Sequence, residues 1–194
     1  MRVRFAVRLA QGIALLSTGA LAGAFGYGAA NLVPTFNAVP LETRLSFHTE
    51  LMQMNGITMQ AAMGMSALSA MTLAIMTRGT TRRLAGGAAL LALTSFLITR
   101  LGNVPINGRI KKWAATSAPP DHAEILARWE AFNYARTGAA FAAFILLILL
   151  TSEAARTRRR RSSGPTRHRN VTAPSVAPPS QRRARGGRRD GERE

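Results

Sequence analysis

Uncharged apolar segments alternate with short charged segments along most of the chain. Four segments contain no charged side chain, namely residues 9–41, 51–77, 84–99 and 137–152. A helix needs about 20 mostly apolar residues to cross a bilayer. The first two segments reach this length alone, and the other two reach it if Arg100 and Arg136 lie near the membrane surface or face the interior of a bundle.

The pattern therefore predicts an all-α fold, a four-helix transmembrane bundle. The predicted spans are about residues 8–31, 52–77, 83–104 and 128–152. None of the spans alternates with a period of two, and in lipid the backbone must satisfy its own polar groups, which favours helices. The predicted connections contain helix-breaking residues: Pro34, Pro40, Gly79, Pro105, Pro119 and Pro120. Asp121 and Glu124 are typical of a helix start, so we expect the fourth helix to begin in water.

The composition changes after the fourth span. We assign residues 1–155 to the membrane domain and residues 156–194, which lack aromatic side chains, to a basic C-terminal tail. The tail combines arginine with proline, glycine and serine and cannot bury a core, so we predict that it is disordered. The arginine cluster 158–161 would fix the topology, and anionic lipid is a partner that suits the charge of the tail.

The charge and the missing cysteines narrow the function classes. A formal net charge of +17 usually indicates nucleic-acid binding in a soluble protein, but most of this chain is apolar. We therefore expect the lipid bilayer to be its main partner. The absence of cysteine excludes disulfides, thiol nucleophiles and zinc–thiolate sites. No histidines and carboxylates share the spacing of metal ligands, so the sequence predicts no metal site.

Polar residues recur toward the same end of the third and fourth spans. The first set, spaced i, i+3 and i+7, is Arg100, Asn103 and Asn107; the second, spaced i, i+4 and i+7, is Trp129, Asn133 and Arg136. Each spacing places a set on one helical face, although the bend at Pro105 would allow Asn107 to lie in a turn instead. An arginine at membrane depth costs at least a few kcal/mol unless it is paired or hydrated. We therefore predict that the two sets form a polar cluster; the simpler alternative is that the arginines and Trp129 are interfacial anchors.

One histidine lies near this cluster. His48 precedes the second span on the same side of the bundle, and histidine can act as a base close to neutral pH. It is therefore our candidate base. The simpler alternative is a polar residue at the membrane interface.

Two motifs in this region resemble the anthrone oxygenase-like family of small four-helix membrane proteins. The hallmarks of that family are an Asn-Val-Pro-x-Asn stretch after the third helix and a Trp-x-x-x-Asn-x-x-Arg-Thr stretch that opens the fourth. Both occur here in order, at residues 103–107 and 129–137. The polar positions that the resemblance carries over are Asn103, Asn107, Trp129, Asn133 and Arg136. Fungal members are implicated in oxidising an anthrone to an anthraquinone with O2 without a recognised cofactor, so the resemblance implies a small aromatic substrate, O2 and no cofactor.

Three functions fit these features. In the first, a cofactor-free oxygenase, His48 would remove a proton from an acidic CH2 group, while Arg136 and Asn133 would stabilise the oxyanion. The second is a non-enzymatic membrane assembly or lipid-binding protein, in which the polar cluster only stabilises the bundle. The third and least favoured is a membrane-tethered nucleic-acid binder that acts through the tail. A roomy apolar cavity that ends at Arg136 would favour the first, and a tightly filled bundle the second.

The distribution of basic residues predicts the topology. Eleven basic residues flank the spans at the N-terminus, the second connection and the start of the tail, against five in the first and third connections. Positive loops remain inside, so both termini should be cytoplasmic. Reporter fusions after Arg83 and after residue 161 should read cytoplasmic, and a fusion near Thr116 should read external. A cytoplasmic signal at Thr116 would contradict this topology.

Overall fold

The described part of the chain is helical almost throughout. The computed structural model describes the backbone of residues 2–162 and the side chains of residues 5–153. In this range six α-helices and two π-helical turns follow one another: α1 (Arg2–Tyr27), the first π turn (Gly28–Leu32), α2 (Val33–Ala38), α3 (Leu41–Met76), α4 (Gly79–Ile98), the second π turn (Thr99–Asn103), α5 (Val104–Ala115) and α6 (His122–Ser162). No strand occurs among these residues, which confirms the predicted all-α class.

Four segments are long and apolar enough to cross a membrane. They are Phe5–Ala38, Leu41–Met76, Gly79–Ala115 and His122–Glu153. The prediction of four long apolar helices is confirmed, and the chain is a membrane protein. Each segment is longer than the span predicted from the sequence, because the helix continues past the charged residues that border the uncharged segment.

The predicted tail lies mostly outside the described residues. The helix α6 continues to Ser162, past residue 152, where we predicted the last span to end, and past residue 156, where we expected the tail to begin. Arginine is a good helix former, and the arginines of this segment extend the last helix. Residues 163–194 are not among the described residues.

Two prolines that we placed in connections lie inside the helical segments. Pro34 and Pro105 each occupy the first turn of a helix, α2 and α5, directly after a π turn. In the π turns the Val33 N–H donates to Gly28 O, and the Val104 N–H donates to Thr99 O, five residues back. A proline has no N–H to donate and is tolerated at the start of a helix. The wider turn and the proline together therefore redirect the helix without ending it.

The four long helices form a ring. Helix α1 packs against α3 and α6, and α4 packs against the same two helices from the other side. The half of the bundle that contains the N-terminus has a core of small side chains and leucine: Ala14, Ala70, Leu73, Ala74, Ala85, Ala88, Ala89, Ala143, Leu147 and Leu150. Alanine lets the backbones approach closely, so this half is tightly filled.

The opposite half of the bundle, which we call the outer half, is built from larger side chains. Its buried cluster joins α2, α3, α5 and α6 through the residues Val33, Phe36, Leu45, Ile106, Ile110, Trp113, Ile125, Leu126 and Trp129. The polar residues predicted as candidates lie at this end or just below it. The outer half is therefore where a functional site can be expected.

Gly102, in the second π turn, is a test of packing in this half. A Cβ atom at Gly102 would lie 2.6 Å from Phe132 Cγ, whereas a Cβ at Gly86 on α4 would meet nothing within 4 Å. Overpacking typically costs about 1–3 kcal/mol. Gly102→Ala should therefore lower the melting temperature of the protein in detergent, and Gly86→Ala should leave it unchanged or raise it slightly. Equal melting temperatures for the two variants would contradict this packing.

Candidate functional site

One amide oxygen connects three helices at the outer end. Trp129 Nε1, on α6, donates a hydrogen bond of 2.7 Å to Asn107 Oδ1 on α5. His48 Nε2, on α3, lies 3.2 Å from the same oxygen. Since an amide oxygen only accepts, Nε2 carries the proton and donates. Asn107 Nδ2 in turn donates to Met52 Sδ at 3.3 Å.

His48 lies behind this hydrogen bond, within an aromatic cluster. Its ring stacks on Phe36 at 5.0 Å between centroids and meets the edge of Trp129 at 4.5 Å. The side chain is only 1% exposed, and Nδ1, the nitrogen left to accept a proton, has no hydrogen-bond partner among the described residues. The cavity described below does not reach His48. His48 is not among the wall residues, although its ring neighbours Phe36 and Trp129 are, so its role as a base stays a prediction.

Arg136 contacts its own helix and the second π turn. Its Nε and Nη2 donate to Asn133 Oδ1 at 3.1 and 2.6 Å, and its Nη1 donates to Thr99 Oγ1 at 3.4 Å. The guanidinium also lies over the ring of Phe25, 4.4 Å from the centroid. No carboxylate of the described residues forms an ion pair with it. Arg136 is therefore a cation with neutral partners only.

The other predicted polar residues divide between two locations. Asn103 donates from Nδ2 to the Trp129 backbone oxygen at 3.0 Å and joins the second π turn to α6. Arg100 is exposed, and its Nη1 donates to Gln60 Oε1 on α3 at 3.3 Å. Arg100 lies in the second π turn together with Asn103, but the contact described for it is with Gln60 and not with Asn103, Asn107 or Trp129. Arg136 likewise contacts Asn133 and not the two asparagines of the third segment.

Glu130, a carboxylate on the same helix as Arg136, pairs with a different arginine. Its Oε1 forms an ion pair of 2.9 Å with Arg44 Nη2 on α3, and Arg44 Nη1 also donates to Asn37 Oδ1. This buried pair joins α3 to α6. Because Glu130 is paired with Arg44, its carboxylate does not neutralise Arg136.

A cavity of about 830 Å³ lies between α1, α3, α5 and α6. Its wall is mostly apolar, and it reaches Asn107, Trp129, Asn133 and Arg136 of the predicted site residues. Further wall residues that sequence reasoning missed are Phe25, Thr99, Lys111 and the glycines Gly23, Gly56 and Gly108. Only Lys111 carried a sequence signal, because it lies four residues after Asn107 on the same helical face.

The cavity opens at the surface of the bundle, where exposed side chains of α1, α3 and α5 lie on its wall. The exposed side chains of Tyr27 on α1 and Gln60 on α3 lie on its wall at this opening. Among the described wall residues, the charged ones are Arg136 and Lys111, and none is Asp or Glu. The arrangement is suited to an apolar, planar ligand that carries negative charge.

Within residues 5–153, no three His, Asp or Glu side chains come close enough together to hold a metal ion. The polar groups of the cavity wall are amides, hydroxyls and two cations, which are groups that bind oxygen anions.

Comparison with known proteins identifies the family. The model of a family described as anthrone oxygenase matches residues 44–146, more than half of the chain. The match spans α3 to α6 and includes the residues around Asn107 and Arg136. No curated protein and no solved structure matches the chain.

Asn107 provides a test of the outer cluster. Asn107→Leu removes the acceptor for Trp129 Nε1 and His48 Nε2, and a buried unpaired donor costs about 1–3 kcal/mol. We therefore expect a clear fall in the melting temperature in detergent. In a double-mutant cycle, Asn107→Leu with Trp129→Phe should destabilise less than the sum of the single changes. Asn107→Leu with Arg100→Gln, which share no contact, should be additive; additivity in both cycles would contradict the shared hydrogen bond.

Proposed function

Because this chain belongs to the anthrone oxygenase family, we propose that it is a membrane oxygenase that binds an anthrone-like aromatic in the outer cavity. It converts the methylene carbon of this substrate to a carbonyl with O2. The observation that carries the proposal is the placement of Arg136, a cation without a carboxylate partner on the wall of a large apolar cavity. An unpaired charge of this kind is costly in an apolar bundle unless a ligand compensates it.

Arg136 retains capacity for a ligand. A guanidinium has five N–H donors. Two of the donors are used by Asn133 Oδ1 and one by Thr99 Oγ1, which leaves two for an oxygen of the substrate. Because Asn133 and Thr99 hold all three nitrogens of the guanidinium, the remaining donors are oriented before a substrate arrives. Such preorganised donors are most effective where water is excluded.

The proposed reaction begins with loss of a proton from the CH2 group of the anthrone. The resulting anion places negative charge on the carbonyl oxygen, and Arg136 stabilises that oxygen. The proton passes to water at the polar outer end of the cavity. No side-chain base is assigned to this step, because His48 does not line the cavity.

Oxygen then reacts with the anion. One electron passes from the anion to O2, and the resulting radical and superoxide combine to form a carbon–oxygen bond. Loss of the second C–H proton and cleavage of the O–O bond give the new carbonyl and hydroxide, which becomes water. One oxygen atom therefore enters the quinone and the other leaves as water, so that anthrone and O2 yield anthraquinone and H2O.

Trp129, Asn107 and His48 determine the shape of the cavity wall. Trp129 lines the cavity and is fixed through its Nε1 by Asn107, which is itself held by His48. We assign Asn107 and His48 as positioning residues and Trp129 as an apolar surface for the aromatic substrate. A fixed indole is favourable for stacking against a planar ligand.

Arg136→Lys tests the proposal. Lysine keeps the charge, but its compact ammonium cannot contact Asn133, Thr99 and the substrate at the same time. We expect the oxidation of 1,8-dihydroxyanthrone to fall by about 10²-fold in Arg136→Lys and further in Arg136→Leu, since loss of a preorganised oxyanion donor costs about 10²–10³ in kcat. The measurement is quinone absorbance and O2 uptake above the spontaneous rate, with detergent-purified protein.

The matched control is Arg128→Leu. Arg128 is an exposed arginine of the same helix that pairs with Glu124 and does not line the cavity, so its loss should not change kcat. A folded Arg136→Leu variant with wild-type kcat would refute the proposed role of Arg136. Failure of the wild-type protein to oxidise any anthrone would instead favour the non-enzymatic lipid-binding alternative.

A further inference from the structure

A second cation lines the cavity at the end opposite Arg136. Helix α5 contributes Val104, Asn107, Gly108 and Lys111 to the wall, and these positions follow the spacing i, i+3, i+4 and i+7 of a single helical face. Asn107 on this face contacts Trp129. Lys111 lies one turn beyond Asn107 toward the outer end, so its side chain belongs to the face that forms the wall.

The two cations are separated by roughly the length of the cavity. Arg136 lies two turns inward from Trp129 on α6, and Lys111 lies one turn outward from Asn107 on α5. With Asn107 and Trp129 in contact, a rise of about 1.5 Å per residue places the Cα atoms of Arg136 and Lys111 on the order of 15 Å apart along the bundle. The cavity that has both residues on its wall measures about 830 Å³, which is large enough for a fused aromatic ring system.

The space beside Lys111 is open. A Cβ atom added at Gly108, three residues before Lys111 on the same helical face, would meet nothing within 4 Å, and the Lys111 side chain is itself exposed. No Asp or Glu among the described wall residues compensates Lys111. The wall near Lys111 therefore combines open space with a cation that no carboxylate of the wall pairs.

We propose that the cavity selects aromatic substrates that carry a second anionic group, such as a ring carboxylate, and that Lys111 binds this group while Arg136 binds the carbonyl oxygen at the reacting ring. This inference rests on the proposed function and specifies its substrate class. Lys111 acts here as a specificity-determining residue, because it contacts the substrate away from the carbon that is oxidised. An anthrone without the second group would lose this contact and keep the other.

Lys112 provides a matched control for Lys111. It has the same charge, follows Lys111 on the same helix and is exposed, but it does not line the cavity. A general effect of removing positive charge from this end of the protein would appear in both lysine variants. An effect of binding within the cavity would appear in Lys111→Met alone.

The experiment compares two substrates in the full-length protein in detergent. The KM is measured for 1,8-dihydroxyanthrone and for its 3-carboxy derivative with the wild type, Lys111→Met, Lys111→Arg and Lys112→Met. We expect the wild type to have a KM about tenfold lower for the carboxylated substrate, with similar kcat values. Lys111→Met should bring the ratio of the two KM values close to one, and Lys111→Arg and Lys112→Met should retain the wild-type ratio.

The outcomes separate this inference from the proposed function. An unchanged KM ratio in a folded Lys111→Met variant, or equal loss in Lys112→Met, would overturn the inference while leaving the oxygenase proposal intact. If the wild type oxidises neither substrate, the oxygenase proposal fails, and the Kd of the two quinone products is measured by quenching of tryptophan fluorescence. Tighter binding of the carboxylated quinone that is lost in Lys111→Met would support the inference, and equal Kd values would overturn it.

Discussion

The hydrogen bonds to Asn107 Oδ1 hold the outer half of the bundle together. This oxygen accepts from Trp129 on α6 and His48 on α3, while its own backbone belongs to α5. In an apolar environment each of these donors would be costly without a partner. The three helices are therefore fixed relative to one another at the level where the cavity begins. The walls of the cavity depend on this connection, since the aromatic cluster of Phe36, His48 and Trp129 packs around it.

The two π turns explain why a cavity exists in one half of the bundle and not in the other. Each turn precedes a proline, Pro34 or Pro105, and each lies in a wall segment of the cavity. A π turn widens the helix and frees it to change direction, and such turns are frequent at functional sites. In the other half, the buried cluster consists of alanine and leucine, and the small side chains let the backbones approach closely.

The sequence was sufficient to predict the helical class and the four apolar helices. It also singled out polar residues near one end of the bundle, and four of them, Asn107, Trp129, Asn133 and Arg136, line the cavity. The contacts between them could not be predicted, because helical periodicity assumes a constant number of residues per turn. The π turn breaks this assumption at Arg100, and the pairing of Glu130 with Arg44 depends on how α3 and α6 meet. The sequence predicted that His48 lies on the same side as these residues. Its packing against Phe36 and Trp129 could not be predicted, because it depends on how α2, α3 and α6 meet.

The opening of the cavity beside Tyr27 and Gln60 determines which ligand concentration governs binding. A site that opens toward lipid equilibrates with molecules dissolved in the bilayer, and fused aromatic ketones partition strongly from water into hydrocarbon. The fraction of such sites that is occupied depends on the mole fraction of the aromatic compound in the membrane. Adding lipid therefore lowers occupancy, just as adding water lowers the occupancy of a site in a soluble protein. A poorly water-soluble compound can then reach and leave the cavity by lateral diffusion, without crossing the aqueous phase.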